Sequence, residues 1–247
     1  MFNLENKKIM VTGGNKGIGY SYAEALLSQG AEVIITGRSH EDNLTALSNL
    51  KKISKKISCL DFDTNQDDYK ELLKHVDFLD TLILNHGILE FDNREEYIDK
   101  SIQTNLKSYL LISENYADII KKNKSRDAGN VVYTSSISGT NGFSLDPVYG
   151  MGKSSLINLS RSLAVKYGKY GIRFNCISPG WIETDMYKKL SNLPIGKKVI
   201  ENVVSRTPLK RVGNVKDLKG IVIFLASDES AFVTGQNFVV DGGFSIS

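Results

Sequence analysis

Three side chains stand at a spacing that could support proton transfer in this 247-residue chain. Tyr149 and Lys153 lie four apart, which puts them on one face of a helix, and Ser136 precedes the tyrosine by 149 − 136 = 13 residues. A phenol can give a proton to a reacting oxygen or take one from it. It titrates near ~10, so ionising it at neutral pH costs about 4 kcal/mol at ~1.36 kcal/mol per unit. An ammonium in a partly dry site offsets that cost by favouring the phenolate. Taken alone, a Tyr–Lys pair is ordinarily an exposed helical pair. The serine at the end of a strand-like run, and a glycine turn far upstream, give it another meaning.

That turn runs Thr12-Gly13-Gly14-Asn15-Lys16-Gly17-Ile18-Gly19 and joins an apolar run to a helical pattern. Glycines there let the backbone bend sharply and approach a pyrophosphate, which sits at the positive N-terminus of the helix. The spacing is G-x3-G-x-G, not the commoner G-x-G-x-x-G. The next apolar run ends Ile35-Thr36-Gly37-Arg38-Ser39. A site for NAD commonly places Asp or Glu there, to accept from the ribose 2′-hydroxyl. Here the position is Gly37, followed by Arg38, whose guanidinium can clamp a 2′-phosphate. Lys16 adds a second cation, so NADP(H) is favoured over NAD(H). No metal is expected.

The elements that must position these residues alternate along the chain. Strands are expected at Lys8–Thr12, Ala31–Thr36, Ile57–Phe62, Asp77–Leu84, Asn130–Thr134, Arg173–Ile177 and Asn237–Val240. Helical spacing falls at Ile18–Gln29, in a Lys-rich stretch before the third strand, and at Tyr97–Lys122, Ser154–Tyr167 and Gly220–Ala226. Strands separated by helices imply right-handed βαβ units. The expected fold is therefore α/β, a Rossmann-type doubly wound parallel sheet flanked by helices on both faces. With no linker, repeat or composition break, residues 1–247 read as one domain, with a cofactor half over about 1–130 and a catalytic half over about 131–247.

Composition narrows the setting. Hydrophobic residues make up 41% and charged residues 24%, enough for a packed core. The net charge of +3 (31 basic against 28 acidic) is too small to imply nucleic acid. The lysine runs Lys51, Lys52, Lys55, Lys56 and Lys121, Lys122, Lys124 read as solvated helix surface. Two cysteines, Cys59 and Cys176, both fall in strand-like runs, and no window approaches the ~20 apolar residues of a membrane span. With no secretory leader before the glycine turn, the expectation is a soluble cytoplasmic protein in a reducing compartment.

Taken together, these motifs resemble the short-chain dehydrogenase/reductase superfamily along essentially the whole chain. Residues 12–19 resemble its cofactor turn. Leu84-Asn85-His86-Gly87 resembles its NNAG motif, and Gln103-Thr104-Asn105-Leu106 its helix-borne asparagine. Ser136, Tyr149 and Lys153 fall on its catalytic Ser-Tyr-Lys, and Pro179 to Met186 on its PG motif. Arg211-Val212-Gly213, Phe224–Ser230 and Val240-Asp241-Gly242-Gly243 match its C-terminal third.

The resemblance implies hydride transfer from nicotinamide to a carbonyl carbon. Tyr149 would supply the proton and Lys153 would lower its pKa. Ser136 would hold the carbonyl oxygen, and Asn105 would anchor a water that relays protons to Lys153. The spacing to Tyr149 favours Ser136 over its neighbour Ser135. Gly13, Asn15, Lys16, Gly17, Ile18 and Gly19 would cradle the cofactor, with Arg38 and Ser39 at its phosphate. Asp63 is favoured over Asp61 beside the adenine. Asn85, Gly87, Pro179, Gly180, Ile182 and Thr184 would border the nicotinamide half, as would Tyr149 and Lys153. Two departures stand out: Leu84 and His86 replace the first Asn and the Ala of NNAG. His86 would lie beside the nicotinamide ribose or the substrate. Trp181 is expected either at the substrate entrance or in packing.

The resulting expectation is an NADPH-dependent reductase of a small-molecule carbonyl, with residues 183–207 as a substrate lid. The superfamily resemblance suggests a homotetramer or homodimer packed through the helices at 97–122 and 154–167. The first rival is a 3-oxoacyl-thioester reductase. It is opposed by the short segment between Gly87 and Asn105 and by Gly129-Asn130, where those reductases carry an arginine before the fifth strand. A sugar or polyol dehydrogenase and a non-catalytic NADPH sensor are the remaining readings.

Overall fold

Alternate residues of a strand point to opposite faces of a sheet, and here both faces are buried. On β1 (Lys8–Thr12), Met10 enters one core while Ile9 and Val11 enter the other. The same split recurs on β4 (Thr81–Leu84), with Leu82 and Leu84 against Ile83, and on β5 (Gly129–Thr134), with Val131 and Tyr133 against Val132. Strands buried on both sides must be apolar throughout, which is why they stand out as continuous runs. The computed structural model describes residues 2–74, 78–90, 94–122, 128–192 and 194–247.

The strands β2 (Glu32–Gly37), β3 (Ile57–Asp61), β6 (Ile172–Pro179) and β7 (Asn237–Val240) complete a seven-stranded sheet in the order β3-β2-β1-β4-β5-β6-β7. Every pairing is parallel. One face carries α1 (Gly17–Ser28), α2 (His40–Leu50) and α9 (Lys219–Ala226), through Tyr22, Leu26, Ala46, Val222 and Leu225. The other carries α3 (Tyr69–Lys74), α5 (Ser108–Lys122) and α6 (Pro147–Tyr167), through Leu72, Tyr109, Ile112, Tyr116 and Leu156. This is the doubly wound α/β fold. The strand order reverses between β1 and β4, and the crevice outside the carboxyl ends there is where such sheets hold ligands.

Three departures from the expected elements bear on the site. First, the helix expected over 97–122 is interrupted. α4 (Glu95–Ile102) passes into a π-helical turn at Gln103–Lys107 before α5 resumes. Such turns frequently mark functional positions. Second, α6 starts at Pro147 instead of Ser154, so it contains Tyr149 and Lys153. Asp146 caps it, its side chain accepting from the Tyr149 N–H at 2.9 Å, and Pro147 takes the first-turn position where a missing N–H is tolerated. Gly150 and Gly152 had weakened the helical signal there. Third, Lys51 and Lys52 follow the end of α2 in a turn and do not extend a helix. The expected start of the fourth strand at Asp77, and Lys124, lie outside the described residues.

Gly19 holds the first βα unit tight. A Cβ there would fall 2.2 Å from the Gly13 carbonyl oxygen and 2.5 Å from Asn85 Nδ2. Gly19→Ala is expected to lower unfolding free energy by about 2 kcal/mol through overpacking, read as a fall in the urea midpoint at unchanged slope.

Candidate active site

A cleft of about 360 Å³ opens at the carboxyl ends of the strands, across the β1/β4 reversal. Tyr149 and Ser136 line it together, and the Ser136 hydroxyl acts to lower the pKa of the Tyr149 phenol. Ser136 caps the short turn Ile137–Gly139, its Oγ accepting from the Ser138 N–H at 3.1 Å. Ser135 does other work: its hydroxyl donates to the Lys153 carbonyl at 2.7 Å and ties α6 to the end of β5.

Lys153 is only 3% exposed. Its Nζ donates to the Thr134 carbonyl at 2.8 Å and lies 5.6 Å from the centre of the Tyr149 ring and 5.8 Å from that of Tyr109. Burial pushes its pKa down to about 8. Burial acts the opposite way on the Tyr149 phenol, raising it to about 12, because both groups resist charging out of water. The Ser136 hydroxyl acts against that rise.

Asn105 stands behind the cleft on the π-helical turn, fully buried. Its Nδ2 donates to the Ile88 carbonyl (3.0 Å) and Ser101 Oγ (2.9 Å), and its Oδ1 accepts from the Ile88 N–H (2.9 Å). The side chain therefore fixes the backbone after β4. A Cβ on Gly87 would lie 3.0 Å from Asn105 Oδ1 and 3.4 Å from Lys153 Nζ, so the absence of a side chain there leaves both polar atoms facing a common space.

His86 lines the cleft, and neighbours hold both of its ring nitrogens. Nδ1 meets Thr12 Oγ1 at 2.7 Å, Nε2 meets Ser108 Oγ at 2.8 Å, and the ring packs on Tyr109 at 4.5 Å between centres. Its part is to tie β1, β4 and α5 together. Burial, and to a lesser degree the nearby Lys153 charge, push it down to about 3.

At the other functional end, Gly13, Asn15, Lys16, Gly17 and Ile18 line the cleft, as do Arg38, Ser39 and Asp63. Lys16 is the residue at the start of α1, and no side chain caps that helix. Its first N–H groups are free to meet an anion. Gly19 is set back from the cleft, because it serves the helix–strand contact described above. Asp61 is engaged with His40 Nδ1 (2.6 Å) and Asn43 Nδ2 (2.7 Å), which leaves Asp63 as the cleft-lining acid of the pair. Asp42 also lines this end. Asn85, Gly87, Pro179, Gly180, Ile182 and Thr184, expected at the nicotinamide half, also line the cleft.

Phe143, Met186 and Tyr187 also line it and were not singled out in the sequence. Phe143 stands 6.0 Å from the Tyr149 ring and 6.5 Å from Trp181, between centres, and so links the two. It sits in an aperiodic Gly/Asn loop, where nothing in the sequence separates a site aromatic from an ordinary one. Trp181 lines the cleft, and its indole Nε1 is buried with no partner among the described residues.

The His86 geometry sets an acid response. The folded state prefers neutral imidazole down to about pH 3, whereas the unfolded chain protonates near ~6.5. Below that value the unfolded state binds more protons and stability falls. Between pH 6.5 and 5, unfolding free energy is expected to drop with a slope approaching about 1.4 kcal/mol per pH unit. His86→Gln should flatten that slope, as measured by urea unfolding at each pH.

Comparison with known proteins identifies the family. A family model described as enoyl-(acyl carrier protein) reductase matches residues 13–245. A 3-oxoacyl-[acyl-carrier-protein] reductase of Rickettsia felis is 33% identical over 247 residues, covering 98% of each chain. Among solved structures, a short-chain type dehydrogenase/reductase from Mycobacterium ulcerans superposes with a TM-score of 0.89 at 27% identity, over 99% of this chain and 91% of that one. A gluconate 5-dehydrogenase from Burkholderia cenocepacia, solved with NADP and tartrate, gives 0.90 at 25% identity over 100% and 98%. With sequence match and fold in agreement over nearly the whole chain, it belongs to the short-chain dehydrogenase/reductase superfamily of oxidoreductases.

Proposed function

We propose that this oxidoreductase reduces a small-molecule carbonyl to an alcohol, reversibly, with NADP(H) as the hydride carrier. The observation that carries the reading is the Tyr149 phenol, sharing a cleft with Ser136, Lys16 and Arg38 and standing one helical turn from a buried Lys153. The cofactor end suits NADP(H): α1 begins uncapped, two cations border the cleft, and residue 37 carries no carboxylate. The relative solved with NADP supports the same choice.

NADPH, when bound, supplies the hydride. Tyr149, kept protonated by burial, gives its phenolic proton to the carbonyl oxygen as charge develops there. Ser136 Oγ donates to that same oxygen and holds it against the phenol, an oxyanion-type contact. Lys153 stabilises the phenolate left behind and returns a proton to it. Asn105 Oδ1, which shares the space beside Gly87 with Lys153 Nζ, anchors the water that refills the lysine from solvent. Phe143, Met186 and Tyr187, with Ile88 and Leu89, give the substrate side a mainly apolar wall. Residues 183–207 contribute the lid, built from α7 (Asp185–Ser191) and α8 (Gly196–Arg206).

A 3-oxoacyl-thioester reductase is the second reading, favoured by the 33% identity to the Rickettsia enzyme. We further propose a homotetramer, supported by Leu110 and Leu111 on α5 and by Val165 on α6, which is 87% exposed. A cytoplasmic setting accords with two free cysteines. Among the described residues no helix is long and apolar enough to cross a membrane.

NADPH oxidation across a panel containing a 3-oxoacyl thioester, a diketone, an aromatic ketone and several keto-sugars tests the reading. One class should turn over. Tyr149→Phe should lower kcat by at least about 10²-fold with NADPH binding retained, and Ser136→Ala by about 10²–10³-fold. Turnover by the Phe variant at the wild-type rate would remove Tyr149 from its role. Reduction should also weaken as pH rises past about 8, where Lys153 loses its proton.

A further inference from the structure

Beneath the Arg38 end of the cleft lies an amide network that the chemistry above does not use. Asn43, in the first turn of α2, is 0% exposed. Its Nδ2 donates to the Gly37 carbonyl at 2.8 Å and to Asp61 Oδ1 at 2.7 Å, while its Oδ1 accepts from Asn15 Nδ2 at 2.8 Å. His40 Nδ1 meets Asp61 Oδ2 at 2.6 Å from the other side. Both amide hydrogens of Asn43 are thus spent, and rotating the group away would strand buried polar atoms. The network crosses three elements: the glycine turn through Asn15, the end of β2 through Gly37, and the end of β3 through Asp61. Only Asn15 and Gly37 among these also line the cleft.

Position 37 is where a ribose-binding carboxylate belongs in an NAD site, and this network fills the space that its side chain needs. A Cβ built on Gly37 falls 2.2 Å from Asn15 Nδ2, 2.5 Å from Asn43 Oδ1 and 2.7 Å from Asn15 Cγ. Real Cβ atoms do not approach so closely. The obstructing atoms are the bonded ends of a clamp, so relieving the clash means breaking the Asn15–Asn43 bond. The residues that follow are tied as well: Ser39 caps α2, its Oγ accepting from the Asp42 N–H at 3.3 Å. The backbone carrying Arg38 is therefore held at Gly37 on one side and at Ser39 on the other.

We propose that Asn43, acting through Asn15 and the Gly37 carbonyl, is a positioning residue for coenzyme selection. It keeps position 37 closed to any side chain, which excludes a ribose-binding carboxylate and presents Arg38 and Lys16 to a 2′-phosphate. Selection then has two separable parts, an attraction by the two cations and an exclusion by the amide clamp. This inference rests on the NADP(H) reading above.

The test compares Gly37→Asp in two backgrounds, the wild type and a clamp-free Asn15→Ser/Asn43→Ala protein, by titrating NADPH and NADH against each purified chain. The wild-type ratio of the two dissociation constants tests the NADP(H) reading by itself. In the wild-type background Gly37→Asp should weaken both coenzymes about tenfold or more, because the carboxylate has no room. In the clamp-free background the same change should bind NADH about tenfold more tightly than in the clamped one. Asn43→Ala alone should lower the NADH-to-NADPH ratio of dissociation constants about tenfold, the size of one lost buried hydrogen bond. A general loosening of the fold would weaken both coenzymes equally and leave that ratio unmoved. An equal change in NADH binding from Gly37→Asp in the two backgrounds, gain or loss, would overturn the proposal, as would an unmoved ratio in Asn43→Ala. If Asn43→Ala fails to fold by circular dichroism, Asn15→Ser alone breaks the clamp from its cleft-facing end and serves as the relaxed background.

Discussion

Taking the Lys153 ammonium out of water costs several kcal/mol unless oriented dipoles replace the lost hydration. The structure supplies those dipoles from segments far apart in the chain. The Thr134 carbonyl at the end of β5 accepts from Nζ, and the faces of Tyr109 and Tyr149 border it. No carboxylate among the described residues forms an ion pair with it. The result is a lysine whose pKa falls to about 8, beside a phenol raised to about 12. A carboxylate partner would have favoured the charged lysine and raised that pKa.

Keeping that ammonium in place constrains the helix that carries it. α6 is capped by Asp146 two residues before Val148, tied to β5 through Ser135, and packed against the π-helical turn that presents Asn105. Tyr97, on α4, donates to Asp146 as well, so the segment before the π turn also helps fix where α6 begins. The His86 ring closes the same assembly from the β1/β4 side, satisfying Thr12 and Ser108 at once. A histidine in place of the family's alanine is accommodated because both ring nitrogens find partners that an alanine would leave for water or other side chains.

The cofactor end is built on a different principle. Its cations, Lys16 and Arg38, are solvent-facing, whereas the Asn43 amide beneath them is buried and bonded to Gly37, Asp61 and Asn15. Exposed charges provide long-range attraction that salt screens; buried amides provide shape. Asp42 and Asp63 border the same end, so the local field is mixed, and attraction by charge is joined there by the form of the backbone at Gly37.

Strand identity, helix alternation and hence the doubly wound sheet were legible in the sequence, because strands buried on both faces must be apolar throughout and glycine turns punctuate them. The Ser136, Tyr149 and Lys153 set was legible too, since its spacing is local: one helical turn, and one strand-to-helix loop. Other features were decided only by tertiary contact. The start of α6 depended on a cap from Asp146 that outweighed two glycines. The π turn at Gln103–Lys107 has no periodic signature, because one inserted residue is lost within a 26-residue helical pattern spanning Tyr97–Lys122. Ser135 and Ser136 differ in the sequence only by their spacing to Tyr149, and the fold turns one toward the Lys153 carbonyl and the other toward the phenol. Asn43 carries no signal of its own in the sequence. Its role required β2, β3 and the glycine turn to converge, which no spacing along one chain segment records. Local periodicity determines which residues share a face; long-range packing decides which face meets which, and therefore what each polar atom finds there.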